Sequence, residues 1–237
     1  MKKLKVLSII PARSGSKGLK NKNILKIDGK TLIDYKIDLI KKSKIPNNTI
    51  ILSTDSKKYA KMFKRKVLVP FIRPQKIAKD KTESLPVIEH VISFYKKKNI
   101  YFDCIILLEP PTPFTKSINL KAGFKKFAKE KADVVASITE TNISSKFVSS
   151  ISKNVSLNKL FKKLDKFKKY QRQKFAKEYS MDGGFYIFKS EYIKRKKKLF
   201  SSDAKCFGIV VKKFEGLNIE NIEDLNIARS YKNFLKK

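Results

Sequence analysis

Leu4-Lys5-Val6-Leu7-Ser8-Ile9-Ile10-Pro11-Ala12-Arg13-Ser14-Gly15-Ser16-Lys17-Gly18-Leu19-Lys20-Asn21-Lys22-Asn23 is the stretch on which the fold turns. Its first part, Leu4 to Ile10, is an apolar run of the length of a buried strand. The residues after it pack small side chains, glycines and cations into one short loop. Gly15 and Gly18 let the backbone approach a ligand closely, and successive N–H groups make an anion nest. Arg13, Lys17 and Lys22 add charge-assisted bonds suited to phosphate oxygens. No Gly-Lys-Ser/Thr ending is present, so this is not the ATPase P-loop. From these residues alone the loop is either a phosphate site or a basic solvated loop, which a Lys-rich chain also produces.

Outward from this stretch, apolar strands alternate with helical patterns. The alternation predicts an α/β fold with a doubly wound, mostly parallel sheet. Strands are expected at Leu4–Ile10, Thr49–Ser53, Lys66–Val69, Cys104–Leu108, Asp133–Ile138, Gly184–Phe188 and Phe207–Val211. Leu32, Ile33, Ile37 and Ile40 make one face of a helix over Thr31–Lys42. Leu85, Ile88, Val91, Ile92 and Tyr95 do the same for Thr82–Lys97, where Thr82 or Ser84 is a candidate cap. Ser117–Phe127 and Asn221–Leu235 complete the helices, and Asn221-Ile222-Glu223-Asp224 reads as a capped start with acids in the first turn. The polar, Ser- and Lys-rich stretch from Thr139 to Asp182 breaks the rhythm.

The chain has 237 residues, enough for one large α/β domain, and 41% are hydrophobic, as in ordinary globular proteins. No apolar run approaches the roughly 18 residues of a transmembrane helix. Met1-Lys2-Lys3 before an apolar run resembles a signal peptide, but it lacks a small-residue cleavage site, and the run is read as the first strand. Cys104 and Cys206 sit in apolar runs and are expected to be buried free thiols of a reducing compartment. The net charge of +35 suggests nucleic acid or an anionic membrane as a partner. Yet Lys is spread over the whole chain. Leu160, Phe161, Leu164, Phe167 and Tyr170 give the basic segment 159–174 a packing stripe. The expectation is no specific nucleic-acid partner and no membrane partner, with salt-sensitive nonspecific binding in vitro. His90 is read as a packing or surface residue; no Ser/His/Asp triad or Cys/His metal set can be assembled.

Ala12-Arg13-Ser14-Gly15-Ser16-Lys17-Gly18, with Lys22-Asn23 after a short spacer, resembles the N-terminal signature of the cytidylyltransferases that activate sialic acids, the CMP-N-acylneuraminate synthetases. Further matches occur in the family's order along nearly the whole chain. They are Ser53-Thr54-Asp55; Arg73-Pro74 with Ala78, Asp80 and Ser84; Leu108-Glu109-Pro110-Pro111-Thr112-Pro113; Arg172-Gln173; Asp182-Gly183 with Tyr186-Ile187; and Ile219-Glu220 with Asp224-Leu225. The resemblance implies a Rossmann-like nucleotidyltransferase fold over 1–237, with an inserted dimerisation and sugar-covering element at about 139–182. It implies CTP and a nonulosonic sugar acid as substrates, a homodimer, and Mg²⁺. From the need for CTP and the missing export signal, a cytoplasmic location is expected.

Carried over residue by residue, the resemblance assigns Arg13, Ser16, Lys17, Lys22, Asn23, Arg73 and Ser84 to the nucleotide, with Arg13, Lys17 and Lys22 catalytic. Glu109, Arg172 and Tyr186 go to the sugar, Arg172 because a planar guanidinium suits a carboxylate. Asn218 and Glu220 go to the metal, as alternate residues of a strand end share one side. Asp55 either caps the helix beginning near Ser56, which is the reading preferred, or supports the loop or a nucleotide. Arg73 and Asp80 are the candidates for an ion pair. Phe200, beside Leu199, falls where relatives offer an aromatic pair to the neighbouring subunit. Three departures stand out: Glu109 where the family usually shows Gln, Thr115 where it shows Arg, and Asn218 where it shows Asp. They open the alternatives of a legionaminic-, pseudaminic- or Kdo-type substrate, or of a noncatalytic nucleotide- or nucleic-acid-binding protein.

Overall fold

The computed structural model describes residues 3–15, 18–151, 153–166 and 176–234. A six-stranded sheet runs through it. The strands are β1 (Val6–Pro11), β4 (Asn48–Ser53), β5 (Cys104–Leu107), β6 (Val134–Glu140), β7 (Tyr179–Lys189) and β8 (Cys206–Val210), in spatial order β4-β1-β5-β7-β6-β8. β1 pairs parallel with β4 and β5, and β6 parallel with β8, while β7 runs antiparallel between β5 and β6. A small hairpin, β2 (Lys26–Ile27) and β3 (Lys30–Thr31), stands apart.

The helices are α1 (Leu32–Ser43), α2 (Lys57–Phe63), α3 (Ser84–Lys96), α4 (Ser117–Glu130), α5 (Asn158–Leu164), α6 (Ser190–Lys196) and α7 (Ile222–Phe234). They cover both faces because the strands are apolar on both. Val6 and Ile10 of β1 pack with Ile33, Ile37 and Ile40 of α1 and with Leu120 and Phe127 of α4. Leu7 and Ile9 point the other way, onto Ile88, Val91 and Tyr95 of α3 and Tyr192 and Ile193 of α6. A third cluster joins Ile27, Leu32, Ile219, Leu225 and Ala228, seating α7 against the hairpin. α1 starts on a capping box: the Asp34 N–H donates to Thr31 Oγ1 at 3.1 Å while the Thr31 N–H donates to Asp34 Oδ2 at 3.2 Å.

Three local expectations are corrected. Lys66–Val69 is not a strand; Leu68 makes an isolated parallel bridge to Ile51, because the chain only brushes the outer edge of β4 before Pro70. Neither Thr82 nor Ser84 caps α3: the cap position is Glu83, with no side-chain cap bond, and the Ser84 hydroxyl is turned elsewhere. Cys206 is exposed, since β8 is the edge strand, whereas Cys104 is buried in the centre of the sheet as expected. α7 begins as read, with the Asn221 side chain accepting the Asp224 N–H at 2.9 Å and Asp224 accepting the Asn221 N–H at 3.1 Å.

No helix among the described residues is long and apolar enough to cross a membrane.

Candidate active site

β1 lies between β4 and β5, so the chain departs to opposite sides of the sheet at its C-terminal end. Crevices at such switch points hold ligands in open α/β sheets. Three loops meet there. The loop after β1 is tied to β4 by the Ala12 N–H donating to the Ser53 carbonyl at 2.9 Å. The loop after β5 starts with the Leu108 N–H on the Ile9 carbonyl at 3.0 Å. The segment before α7 joins it through the Ile219 N–H on the Pro111 carbonyl at 2.8 Å. At Gly18 a Cβ would stand 2.9 Å from the Glu220 carbonyl oxygen, so only glycine lets the first loop pass the third this closely.

A cleft of about 240 Å³ opens between the loops after β1 and β5 and the chain leading into α3, lined by Pro11, Arg13, Lys22, Asn23, Arg73, Thr82, Glu83, Ser84, Val87, Glu109, Pro110 and Pro111. Six residues assigned from sequence thus share one cavity. Asn218, Glu220 and Tyr186 lie outside that lining. Ser16, Lys17, Arg172 and Gln173 lie outside the described residues, as do Phe167 and Tyr170 of the packing stripe.

Arg13 pairs with Asp80, and its Nη1 also donates to the Gly15 carbonyl at 2.7 Å. The expected Arg73–Asp80 pair is therefore replaced by Arg13–Asp80. Arg73 is buried, its Nε has no hydrogen-bond partner among the described residues, and Asp55 is the carboxylate that offsets its burial. Asn23 is buried too, and its amide donates to the Arg13 carbonyl at 2.9 Å, so it shapes the loop from inside. Lys22 is half-buried. Burial pushes its ammonium below the ordinary lysine value, the charge of Glu220 pulls it back, and Arg13 pushes it down again.

Asp55 does not cap α2. That helix is capped by Ser56, whose hydroxyl accepts the Tyr59 N–H at 3.2 Å. Asp55 instead takes the Ser14 N–H and the Ser14 hydroxyl, each at 2.9 Å. Ser56 is the residue directly before the helix and has the right reach; Asp55 is left to face the loop after β1.

At the other side of the cleft Ser84 Oγ donates to Glu109 Oε1 at 3.2 Å. Burial raises the Glu109 pKa, opposed by Ser84 and by the charges of Lys36 and Lys22. The Tyr186 ring stacks near Phe188 at 6.1 Å and meets Phe200 of its own chain edge-on at 5.7 Å. Burial pushes the Tyr186 phenol up, with Glu109 and Asp182 adding to the rise. His90 packs edge-on against Phe71 at 4.6 Å, the packing role expected of it.

Asn218 and Glu220 flank the buried Ile219, and the Asn218 amide donates to Glu220 Oε1 at 2.9 Å. No cluster of three or more His, Cys, Asp or Glu suited to a metal occurs among the described residues. The donor set is one carboxylate and one amide oxygen, both hard ligands on one side of the chain. It fits a magnesium ion that takes most of its ligands from phosphates and water.

Two residues near the site carry no role in the sequence reading, Lys36 unnoticed and Asp182 quoted only as part of a family match. Lys36 is fully buried on α1, and Asp182 is buried within β7. The signal for Lys36 was its place in the helix, four residues after Leu32 and four before Ile40, on the buried stripe.

Comparison with known proteins agrees with this geometry. Residues 7–236 match the sequence profile described as cytidylyltransferase. The chain is 30% identical over 225 residues to an N-acylneuraminate cytidylyltransferase of Escherichia coli O18:K1:H7, covering 94% of this chain and 51% of that protein. It is 26% identical over 226 residues to a pseudaminic acid cytidylyltransferase of Campylobacter jejuni, covering 95% of each. The chain thus spans about half the length of the first relative and nearly all of the second. The fold matches a solved CMP:2-keto-3-deoxy-manno-octonic acid synthetase complexed with CTP at a TM-score of 0.67, with 13% identity, 97% of this chain and 99% of that chain covered. With the phosphate-type loop, the switch-point cleft and a family match running from β1 to α7, this chain belongs to the cytidylyltransferase family.

Proposed function

We propose that the protein transfers the cytidylyl group of CTP to the anomeric hydroxyl of a nonulosonic sugar acid and releases pyrophosphate. The observation that carries this is the convergence of Arg13, Lys22, Asn23, Arg73, Ser84 and Glu109 on one cleft at the switch point of the sheet. The sugar oxygen attacks the α-phosphorus while the bond to pyrophosphate breaks in line. Such a step rests on positioning and on stabilising charge, with no covalent enzyme intermediate. Arg13, Lys17 and Lys22 bind the triphosphate and stabilise the leaving pyrophosphate. Asn23 and Ser84 orient the nucleotide, Asn23 by holding the Arg13 backbone in place. Arg172 holds the sugar carboxylate, and Glu109 and Tyr186 shape the pocket. Glu220 and Asn218 would hold Mg²⁺, which would supply charge neutralisation on the phosphates.

The substrate is a sialic-type acid or a pseudaminic-, legionaminic- or Kdo-type relative. Glu109 and Thr115 depart from the Gln and Arg usual in the resembled family at the sugar pocket, so the test spans all four classes, every one of which carries the same carboxylate. Pyrophosphate release with CTP and a panel of these acids tests the reading. CTP binding without release across the panel would favour the noncatalytic alternative.

We further propose a cytoplasmic homodimer built on the segment after β6. Ile143, Val148, Ile151, Val155, Leu157 and Phe161 are all exposed there, an apolar run that a second subunit would cover. Light scattering after size exclusion tests it, and a monomer at micromolar concentration would contradict it.

A further inference from the structure

Lys36 has no part in the mechanism above, yet it is a fully buried cation beside the site. Its Nζ donates to the Gly184 carbonyl at 2.8 Å and to Thr115 Oγ1 at 3.2 Å. Thr115 Oγ1 donates on to the Thr112 carbonyl at 3.2 Å, and Thr112 Oγ1 to the Asp182 carbonyl at 3.0 Å. Asp182 Oδ1 accepts the Gly184 N–H at 2.7 Å, closing the ring. One ammonium therefore joins the loop after β5 to β7.

Glu109 and Tyr186 both lean on that junction. Gly183, at φ 76°, lies between Asp182 and Gly184, and Glu109 Oε2 is 3.2 Å from the place its Cβ would take. The Gly183 N–H faces the Tyr186 phenol. A buried ammonium is costly unless opposite charge and acceptors surround it. The charges facing Lys36 are Asp182 and Glu109, and Asp182 Oδ2 has no hydrogen-bond partner among the described residues. Glu109 in turn faces Lys36 and Lys22 and takes the Ser84 hydroxyl. Thr115 stands where the resembled family usually shows Arg. From α1, behind the loop, Lys36 reaches the Thr115 hydroxyl and returns a positive charge to this place.

We propose that Lys36 is a positioning residue. Its buried Nζ ties the loop after β5 to β7 and keeps Glu109, which it faces, aimed at the sugar-acid end of the cleft, so that the pocket selects a sugar presenting an N–H or O–H donor there. This rests on the cytidylyltransferase reading for its substrate. Its core, the coupling of Lys36 to Glu109, does not need a substrate to be tested.

Lys36→Met keeps the length and removes the charge and the donors. Assayed at about pH 6, where Lys36 keeps its proton, the KM for the accepted sugar acid should rise about tenfold, the loss of one charge-assisted contact, while the KM for CTP changes less than about twofold. In a Glu109→Gln background the same substitution should move the sugar KM less than about threefold, because the group it acts through is gone. Equal losses toward CTP and sugar, or effects that simply multiply, would overturn the proposal. Should Lys36→Met fail to fold, Thr115→Val removes one of the two acceptors. It should shift the sugar KM alone, in the same direction, and no shift would count against the proposal.

Without any sugar, the Glu109 carboxyl can be titrated by NMR in protein labelled at glutamate and assigned with Glu109→Gln. Lys36→Met should raise its proton affinity about tenfold, the usual weight of one nearby opposite charge. An unchanged titration would overturn the proposal. Wild-type protein that turns over no sugar but shows the shifted titration would sink the substrate reading and leave the coupling standing.

Discussion

The Asp55 carboxylate holds Ser14 twice, taking its N–H on Oδ1 and its hydroxyl on Oδ2, both at 2.9 Å. This pins the start of the loop after β1 to the end of β4, and so fixes where Arg13 emerges. Asp55→Ala should raise the KM for CTP about tenfold, the loss of two charge-assisted bonds, with the sugar KM nearly unchanged. Steady-state kinetics with each substrate varied in turn checks this; unchanged CTP kinetics would make Asp55 dispensable to the loop.

Arg13 is partly exposed and held by Asp80 and the Gly15 carbonyl rather than by the core, so its removal leaves the core intact. Arg13→Ala should lower kcat by about 10²–10³, the usual loss for one charge-stabilising donor at a transition state. Its far-UV spectrum and melting temperature should match the wild type. Turnover within about threefold of wild type would remove Arg13 from the machinery.

At the proposed metal position Asn218 donates its amide to Glu220 across 2.9 Å, so the pair offers one negative charge rather than two. Asn218→Asp adds the second. It should lower the Mg²⁺ concentration for half-maximal rate several-fold, since carboxylates are the stronger ligands for this ion. A magnesium titration of the rate that coincides with wild type would take this position out of the metal site.

Lys36 gives a pH signature of its own. Burial, with Asp182 and Glu109 in opposition, lowers its pKa from 10.5 to about 7. Between those values the unfolded chain holds a proton there that the folded chain has released. Stability from this residue therefore rises with pH from about 7 upward, by at most ~1.4 kcal/mol per pH unit. Urea unfolding of wild type and Lys36→Met at about pH 7 and pH 9 should show the wild type gaining on the variant. Parallel changes in the two would show that Lys36 titrates as an ordinary lysine.

The strands were legible because both faces of the sheet are buried, which leaves runs such as Val6–Ile10 and Cys104–Leu107 nearly free of polar residues. The cleft was legible because glycine, arginine and proline punctuate the loops at strand ends. Lys66–Val69 misled because an apolar run beside a strand edge looks the same whether it pairs once or throughout. Asp55 and Asp80 misled because the sequence shows which charges are near along the chain. Arg13 and Asp80 are 67 positions apart, and only the fold brings them together. Lys36 was hidden by its type: a lysine in an amphipathic helix reads as solvated unless its place on the stripe is weighed.

The proposed cytidylyl transfer stands or falls on pyrophosphate release. Purified protein would be given CTP, Mg²⁺ and, one at a time, sialic, legionaminic, pseudaminic and Kdo-type acids at moderate salt. Release is expected with CTP and one class of nonulosonic acid, and none with ATP, GTP or UTP. Folded protein that binds CTP yet releases no pyrophosphate with any of these acids would refute the assignment.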